Sequence, residues 1–349
     1  MAHEKQRFTV YSATLLPRLI DYFISSINLE VTVLQLQTKR SLEGNASVLY
    51  EVPELEDEAV ASKIEILFAD TPVIAKYRKN LVNLKWVHTA WNGVDILMDS
   101  FEKDEPFPKF TLTKTSGSLN ASLITDYIIG YIIANERSFF KARDSQQRSK
   151  WEQMIYAHSR GLSSLTIGIL GVGEIGQHLA KICKDFGMTV WGLTRKERLP
   201  ENSCSHVDVY RTPDRLNDLL ENCDYICNIL PSTPQTRDML SGDVLKSCRH
   251  KKSVFINVGR GDVVDEQSIV AALDNGWLSG AVLDVFRKEP LPASSPLWSH
   301  PGVTVTPHVS GWSADTSHID KIMDRFVDNF KRFVEGRPLK GVLDWSQGY

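Results

Sequence analysis

Residues 165–176 read LTIGILGVGEIG, a short apolar run followed at once by a glycine-rich turn. The run LTIGIL has the length and aliphatic character of a strand that is buried on both faces of a parallel sheet. Gly171, Gly173 and Gly176 then stand in the spacing GxGxxG, and the residues after them repeat apolar positions at helical intervals. Glycines between a strand and a helix permit a tight turn, leave room for a pyrophosphate and let helix and strand pack closely. The stretch therefore predicts a dinucleotide-binding βαβ unit.

Apolar runs and helical patterns continue to alternate on the C-terminal side of this turn. Further candidates for buried strands lie at 188–193, 224–230, 253–258, 280–286 and 303–307. Apolar residues repeat at helical spacing from Ile175 to Phe186, and Gly187 ends that pattern before the next strand. A second helix is predicted from Glu266 to Leu273. These repeated units predict a doubly wound parallel sheet, so residues 119–312 are assigned to a dinucleotide-binding Rossmann domain.

The residues on either side of this domain predict a second, smaller one. Strand candidates lie at 8–11, 31–36, 64–68 and 84–87. A final helical pattern from Ile319 to Phe333 follows the last strand of the Rossmann domain, and we expect it to pack on the N-terminal domain. The expected fold is therefore α/β with two domains, in which the Rossmann domain is inserted into a flavodoxin-like α/β substrate domain of residues 1–118 and 313–349.

Composition and charge favour a small-molecule partner. The 349 residues suit two domains, and 42% hydrophobic with 24% charged residues is usual for globular proteins. The 40 basic and 43 acidic residues leave a formal charge of −3, which offers no electrostatic footprint for nucleic acid or an anionic membrane.

The cysteines and the N-terminus predict a cytoplasmic protein. The 5 cysteines form no CxxC pair, which argues against a zinc or other metal site and a disulfide framework, and favours reduced thiols. The polar N-terminus lacks the apolar core of a secretory signal, and the most apolar stretch, residues 127–134, is far too short to span a bilayer.

The residues after the second strand of the Rossmann domain bear on the choice of cofactor. A domain that binds NAD usually has an acidic residue there, which hydrogen-bonds the ribose 2′-hydroxyl. This chain has Thr194, Arg195 and Lys196 at that place. Two cations beside a hydroxyl suit the 2′-phosphate of NADP, so NADPH is expected over NADH. A solvent-exposed basic loop end is the alternative interpretation.

Three segments each place a chemically useful residue after a predicted strand. Arg260 in NVGRG carries a planar fork of N–H donors, which can grip the carboxylate and carbonyl oxygens of a 2-keto acid together. His308 in VTPHVSGW is suited to protonate the oxygen of a reduced carbonyl, and Glu289 in VFRKEPLP would orient its ring and favour the imidazolium. Each residue alone could be an ordinary turn or surface residue. Three such strand ends beside one dinucleotide turn indicate an active site.

The motifs GVGEIG, NILPSTPQTRDML, FINVGRGDVVDE, GAVLDVFRKEPLP and TPHVSGW resemble the D-isomer-specific 2-hydroxyacid dehydrogenases. The resemblance extends from Leu162 to Trp312. It implies that Arg260 binds the substrate, that His308 donates the proton and that Glu289 supports His308. The triplet Thr-Arg-Lys after the second strand resembles the glyoxylate and hydroxypyruvate reductase branch, which uses NADPH to reduce a small 2-keto acid to the D-2-hydroxy acid.

The same resemblance implies further binding residues. Asp284 is expected to contact the nicotinamide carboxamide, and Pro231 with Thr236 are expected to line the cofactor cleft. The complete set expected at the cofactor is Gly171, Gly173, Glu174, Ile175, Gly176, Thr194, Arg195, Lys196, Leu230, Pro231, Thr236, Val258, Gly259, Asp284 and Gly311. In the N-terminal domain TAWNGVDIL is similar to the family's substrate loop, so substrate contacts are expected from Trp91, Asn92, Gly93 and Val94, together with Arg260 and Trp312. The large residues Trp91, Asn92 and Trp312 predict a crowded or aromatic-lined pocket.

Other interpretations remain open at this point. Residues 141–153 resemble the arm by which family members form homodimers, with Trp151 reaching towards the neighbouring active site, although a solvated helix end fits this sequence nearly as well. A non-enzymatic, NAD-sensing scaffold similar to transcriptional corepressors is an alternative function, and so is a dehydrogenase for a bulkier 2-keto acid. A phosphoglycerate dehydrogenase is disfavoured by the basic residues after the second strand, and a formate dehydrogenase by Glu289, where that enzyme has glutamine.

Overall fold

The computed structural model describes residues 8–14, 19–26, 31–35, 38–39, 52, 54–55, 58–115, 117–313 and 315–348. The chain divides into unit 1, which comprises Met1–Leu119 and Ser313–Tyr349, and unit 2, which comprises Asn120–Trp312. Unit 2 is therefore inserted in the sequence of unit 1. Leu36, the last residue of a predicted strand, and residues 1–7, on which the expectation of no secretory signal depends, lie outside the described residues.

Unit 1 is built on a parallel sheet of five strands. In chain order these are β1 (Phe8–Ala13), β2 (Val31–Gln35), β5 (Ile66–Ala69), β6 (Trp86–Thr89) and β7 (Thr111–Lys114), with a short antiparallel pair, β3 (Thr38–Lys39) and β4 (Glu54–Leu55), between β2 and β5 in the sequence. The spatial order β2-β1-β5-β6-β7 is that of flavodoxin-like sheets. Strand β7 is missing from the sequence-based prediction because its residues, TLTK, contain no apolar run.

A long C-terminal helix covers one face of this sheet. The helices of unit 1 in the described residues are α1 (Leu19–Ser26), α2 (Thr71–Tyr77), α3 (Asp95–Met98) and α9 (Thr316–Val334). Phe326 of α9 stacks on Trp86 with ring centroids 5.3 Å apart and also meets Phe23 and Phe68. The prediction that the final helix packs on the N-terminal domain is confirmed, since burial of its aromatic face holds it there.

Unit 2 is built on a parallel sheet of seven strands. These are β8 (Thr166–Leu170), β9 (Thr189–Leu193), β10 (Val209–Arg211), β11 (Tyr225–Asn228), β12 (Ser253–Asn257), β13 (Leu278–Leu283) and β14 (Val303–Val305). Their spatial order, β10-β9-β8-β11-β12-β13-β14, is the Rossmann order extended by one strand. The predicted α/β fold class is confirmed. Edge strand β10 escapes prediction because its residues, VYR, form no apolar run.

Helices lie on both faces of the sheet of unit 2. They are α4 (Gly117–Glu136), which begins at the end of unit 1, α5 (Phe139–Gln147), α6 (Glu174–Asp185), α7 (Leu216–Asn222) and α8 (Glu266–Asp274). One hydrophobic core includes Ile128 of α4 and Leu179 of α6, and the other includes Leu219 of α7 and Ile269 of α8. None of the helices in the described residues is both long and apolar enough to cross a membrane.

The parallel strands of unit 2 bring six predicted segments to one edge. Because neighbouring strands run in the same direction, their carboxyl ends lie side by side. The turns that leave this edge are 171–176 after β8, 194–198 after β9, 229–236 after β11, 258–263 after β12, 284–289 after β13 and 306–311 after β14. The fold therefore places the glycine turn and the three candidate catalytic residues on the same side of the sheet.

Candidate active site

The turn 171–176 has the local geometry that a bound pyrophosphate requires. Gly171 has φ of +104°, a conformation that disfavours residues with a side chain. A Cβ at Gly176 would lie 2.2 Å from the Gly171 carbonyl oxygen, so close packing of α6 on β8 depends on that glycine. At Gly173, by contrast, a Cβ would meet no atom within 4 Å. The open space beside Gly173, in front of the N-terminus of the 12-residue helix α6, fits a phosphate group.

The basic residues after β9 lie next to this turn. Thr194 is buried and donates its hydroxyl hydrogen bond to the Lys196 carbonyl, 2.9 Å away, while Arg195 and Lys196 are exposed. A third cation, Arg198, donates from Nη2 to the carbonyl oxygen of Val172 at 2.6 Å, inside the glycine turn. Sequence reasoning did not single out Arg198, because it lies beyond the strand end where the pattern predicts a ribose contact. The turn is thus flanked by positive charge, and no acidic residue stands at positions 194–196.

The loops after β11 and β12 pack against each other. A Cβ at Gly259 would lie 2.7 Å from the Leu230 carbonyl oxygen, so the two segments can approach this closely because residue 259 is glycine. Val258 is buried beside this contact. The Thr236 hydroxyl donates to the Pro231 carbonyl at 2.6 Å, so it closes the turn 231–236 from within. The predicted cofactor-lining residues of these two loops therefore form one continuous wall.

His308 and Glu289 are in direct contact. The His308 Nδ1 atom lies 2.7 Å from Glu289 Oε2, and the second carboxylate oxygen accepts a hydrogen bond from the Phe286 N–H at 2.8 Å. Since a carboxylate only accepts, the contact places the hydrogen on Nδ1 and leaves Nε2 as the nitrogen that can exchange a proton with a ligand. The His308 side chain is 37% exposed, so the ring can be reached.

Arg260 follows the strand next to the one that leads to Glu289. Its Nη1 atom donates to the Gly259 carbonyl at 2.8 Å, and the residue is half-buried. A Cβ at Gly261 would lie 1.9 Å from the Phe286 carbonyl carbon, so the loop of Arg260 and the loop of Glu289 touch through their backbones. The hydrogen bond to Gly259 thus anchors one end of the guanidinium.

Asp284 binds the loop that carries His308. The carboxylate is fully buried, accepts from the Thr306 hydroxyl at 2.5 Å, and accepts from the N–H groups of Val309 and Ser310 at 2.9 and 2.8 Å. Sequence reasoning assigned Asp284 only to the nicotinamide and did not assign Thr306 at all. A signal existed in the sequence, since a Thr directly before Pro-His at a strand end is well placed to bond a neighbouring strand.

The predicted substrate loop is a feature of unit 1. It follows β6 and is held from both sides, because Lys114 Nζ donates to the Asn92 carbonyl at 3.2 Å and the Thr71 hydroxyl to the Gly93 carbonyl at 3.3 Å. Within the described residues, the N–H groups of Asn92, Gly93 and Val94 have no acceptor. In unit 2, Gly311 is half-buried and Trp312 is 61% exposed.

The thiols and carboxylates of the described residues form no metal site. The structure contains no group of three His, Cys, Asp or Glu residues able to hold a metal ion in the parts of the chain that it describes. The five cysteines are unpaired, and four of them are buried. Burial raises the pKa of the Cys183 and Cys248 thiols to about 12, which keeps them protonated.

Comparisons with known proteins agree with this geometry. Residues 129–310 match the family model described as the NAD binding domain of D-isomer specific 2-hydroxyacid dehydrogenases. The chain is 31% identical to glyoxylate/hydroxypyruvate reductase A of Yersinia enterocolitica over 276 residues, which are 77% of this chain and 82% of that protein.

Solved structures of the same family superpose on most of the chain. A D-isomer specific 2-hydroxyacid dehydrogenase family protein from Aeromonas salmonicida is 28% identical with a TM-score of 0.78, covering 97% of this chain and 100% of its own. A D-isomer specific 2-hydroxyacid dehydrogenase from Xanthobacter autotrophicus, crystallised with NADPH and MES, is 25% identical with a TM-score of 0.79, covering 99% and 100%. The resemblance seen in the motifs is confirmed. The chain belongs to the D-isomer specific 2-hydroxyacid dehydrogenase family and is an NAD(P)-dependent oxidoreductase.

Proposed function

We propose that this protein reduces a small 2-keto acid, glyoxylate or hydroxypyruvate, to the D-2-hydroxy acid with NADPH. The contact of 2.7 Å between His308 Nδ1 and Glu289 Oε2 carries the proposal. It lies at the strand edge that also bears the glycine turn, so an oriented proton donor and a dinucleotide site occur together. The named activity of the Yersinia relative supports the same substrates.

In this proposal each polar group acts on a different atom of the substrate. Bound NADPH supplies the hydride to the carbonyl carbon. Arg260 binds the carboxylate and carbonyl oxygens through its guanidinium, and His308 donates the proton from Nε2 to the carbonyl oxygen as charge develops there. Glu289 holds the imidazole ring in place and stabilises its protonated form. The N–H groups of residues 92–94 would bind the substrate carboxylate as a nest of backbone donors.

The preference for NADPH rests on the charges beside the glycine turn. Arg195 and Lys196 follow β9, and Arg198 bonds the turn itself at the Val172 carbonyl. Three cations around one turn favour a 2′-phosphate, whereas a 2′-hydroxyl would lack the carboxylate acceptor that it usually finds there. The Xanthobacter relative crystallised with NADPH supports this choice.

Steady-state kinetics with a matrix of substrates and cofactors tests the proposal. The wild type should reduce glyoxylate and hydroxypyruvate faster than pyruvate and phenylpyruvate, and NADPH should be preferred over NADH. The double variant Arg195→Gln/Lys196→Gln should lose about tenfold or more in kcat/KM for NADPH and little for NADH, since two charge-assisted contacts are removed.

A matched variant controls for the loss of two positive charges. Lys246→Gln/Arg249→Gln removes the same charges from exposed positions just before β12, at the other end of the sheet. It should keep the cofactor ratio of the wild type. Faster turnover of phenylpyruvate would instead favour a dehydrogenase for bulkier 2-keto acids, and an unchanged ratio in the Arg195/Lys196 variant would remove the assignment of these residues to the 2′-phosphate.

We also propose a homodimer formed through residues 139–154 and a cytosolic location. Trp151 is 93% exposed and Met154 78%, and Phe139 and Phe140 on α5 are more than half exposed. Single exposed apolar side chains are common on protein surfaces, but four large ones within one short segment indicate an interface. Beside them, a surface pocket is lined by Tyr127, Tyr131 and Phe140. The buried, unpaired thiols support a reducing compartment.

A further inference from the structure

A tyrosine of α4 is connected to the catalytic loop by two short hydrogen bonds. The Tyr127 hydroxyl lies 2.6 Å from the Thr306 hydroxyl, across 179 positions of sequence. Thr306 in turn lies 2.5 Å from Asp284 Oδ1. All three residues belong to unit 2, and none of the roles given above to Arg260, Glu289 and His308 involves Tyr127.

The direction of these hydrogen bonds follows from the chemistry of the Asp284 carboxylate. A carboxylate oxygen can only accept, so the Thr306 hydroxyl donates its hydrogen to Asp284. The remaining lone pairs of Thr306 must then accept the hydrogen of Tyr127. Burial, and after it the charge of Asp284, raise the pKa of the Tyr127 hydroxyl well above its usual value, so the donor stays protonated. Hydrogen bonds connected in series polarise one another, so each bond is stronger than it would be alone.

Asp284, the last residue in this series of hydrogen bonds, determines the conformation of the His308 loop. Its backbone carbonyl accepts the His308 N–H at 2.9 Å, and its side chain accepts the N–H groups of the next two residues. His308 itself has φ of +55°, a left-handed conformation that a residue with a side chain adopts only when its surroundings impose it. Without these bonds the loop would relax and the imidazole would leave its place beside Glu289.

We propose that Tyr127 is a positioning residue, which keeps His308 in its proton-donating place through Thr306 and Asp284. The inference rests on the proposed role of His308 as the proton donor. Tyr127 never touches the substrate in this account. Its hydroxyl fixes the Thr306 hydroxyl, which fixes the Asp284 carboxylate, and the carboxylate fixes the backbone on which the imidazole is carried.

The variant Tyr127→Phe tests the proposal, because it removes the hydroxyl and keeps the ring. We expect kcat for keto-acid reduction to fall about tenfold, since small displacements of a catalytic group are costly, while KM for the keto acid and the Kd for NADPH stay near the wild-type values. A hydroxyl that only stabilises the fold would lower Tm and leave kcat unchanged. That result would overturn the proposal.

Tyr225→Phe is the matched control. The Tyr225 hydroxyl likewise bonds side chains of unit 2, Glu136 at 2.7 Å and Asn135 at 2.8 Å, but Tyr225 is fully buried and lies at the start of β11, on the opposite edge of the sheet. This variant should lower Tm at least as much as Tyr127→Phe and leave kcat unchanged. We call the hydrogen-bonded series Tyr127–Thr306–Asp284 the relay. An equal loss of kcat in both variants would contradict a specific effect of the relay.

A double-mutant cycle tests whether Tyr127 acts through Thr306. Thr306→Val removes the middle hydroxyl and should reduce kcat at least as much as Tyr127→Phe, and Thr306→Ser should restore most of it. If the relay exists, adding Tyr127→Phe to Thr306→Val changes kcat no further, whereas independent effects would multiply. Multiplied effects would contradict the relay even where one single variant folds poorly.

The variant His308→Gln separates this inference from the proposed function. A loss of activity in His308→Gln together with full activity in Tyr127→Phe would reject the relay alone. Full activity in His308→Gln would reject the proton donor, and the relay with it.

Discussion

Two carboxylates of unit 2 hold the His308 loop at different atoms. Glu289 bonds the imidazole ring of His308 at Nδ1, and Asp284 bonds the backbone on either side of that residue. The ring orientation and the loop conformation are therefore set separately. Loss of the first contact would free the ring, and loss of the second would move the whole residue.

His88 in unit 1 makes the folded state sensitive to acid. Its side chain is fully buried among Phe68, Trp86 and Phe326, Nδ1 bonds the Thr113 hydroxyl at 2.7 Å, and Nε2 has no partner in the described residues. Burial, and then the charge of Arg325, lower the pKa of His88 from 6.5 to about 3. Between pH 6.5 and about 3 the ring therefore stays neutral in the folded protein, whereas the unfolded chain binds a proton there.

The expected effect has a definite sign. Below pH 6.5 the unfolded chain protonates His88 and the folded protein does not, so stability is complete above that pH and is lost as the pH falls towards 3. Near pH 5 the free energy of unfolding should be about 2 kcal/mol lower than at neutral pH from this residue alone. Urea unfolding followed by tryptophan fluorescence measures it. His88→Phe should remove this part of the acid sensitivity, and His250→Asn, at an exposed position, should keep it.

At the residue scale, the sequence predicts groups that lie at strand ends and misses groups that reach them from elsewhere. Arg260, Glu289 and His308 each follow a strand of one parallel sheet, so the alternation of elements suffices to bring them to one edge. Tyr127 comes from a helix 179 positions before its partner, and no local pattern reports such a pairing. Arg198 is missed for a similar reason, since only the folded loop returns it to the glycine turn.

The dimer proposal makes a direct prediction for helix α5 and the residues that follow it. Trp151→Glu should convert a dimer into a monomer in sedimentation velocity, because a charge replaces a large apolar side chain in the buried part of the interface. Val82→Glu is the matched control, since Val82 is also exposed but lies in unit 1, outside residues 139–154. A monomeric wild type, or a Trp151→Glu protein that remains dimeric, would contradict the proposed interface.

At the scale of elements, length and apolar content decide what the sequence predicts. Strands with continuous apolar runs, such as LTIGIL and SVFINV, are predicted to within two residues of β8 and β12. Strands β7 and β10 are missed, because their residues, TLTK and VYR, contain no apolar run. A short polar strand forms where a neighbouring strand supplies its hydrogen bonds, as β6 does for β7.

At the scale of the whole molecule, the order of elements along the chain contains the two-unit organisation. One set of βα repeats surrounds the glycine turn, and the helix after the last strand, α9, packs its aromatic residues on the sheet and on helix α1 of unit 1. The two units carry different parts of the proposed active site. Unit 2 carries the proposed proton donor, its carboxylate and the glycine turn, and unit 1 carries the loop of residues 92–94, whose N–H groups have no acceptor among the described residues.

Single-turnover oxidation of NADPH by glyoxylate, followed by absorbance after rapid mixing with the wild type and with His308→Gln, tests the proposed proton donor. If His308 supplies the proton, the variant should react about a hundredfold or more slowly while its Kd for NADPH stays unchanged, since only general acid catalysis is removed. An equal rate of NADPH oxidation in both proteins would show that His308 is not the proton donor.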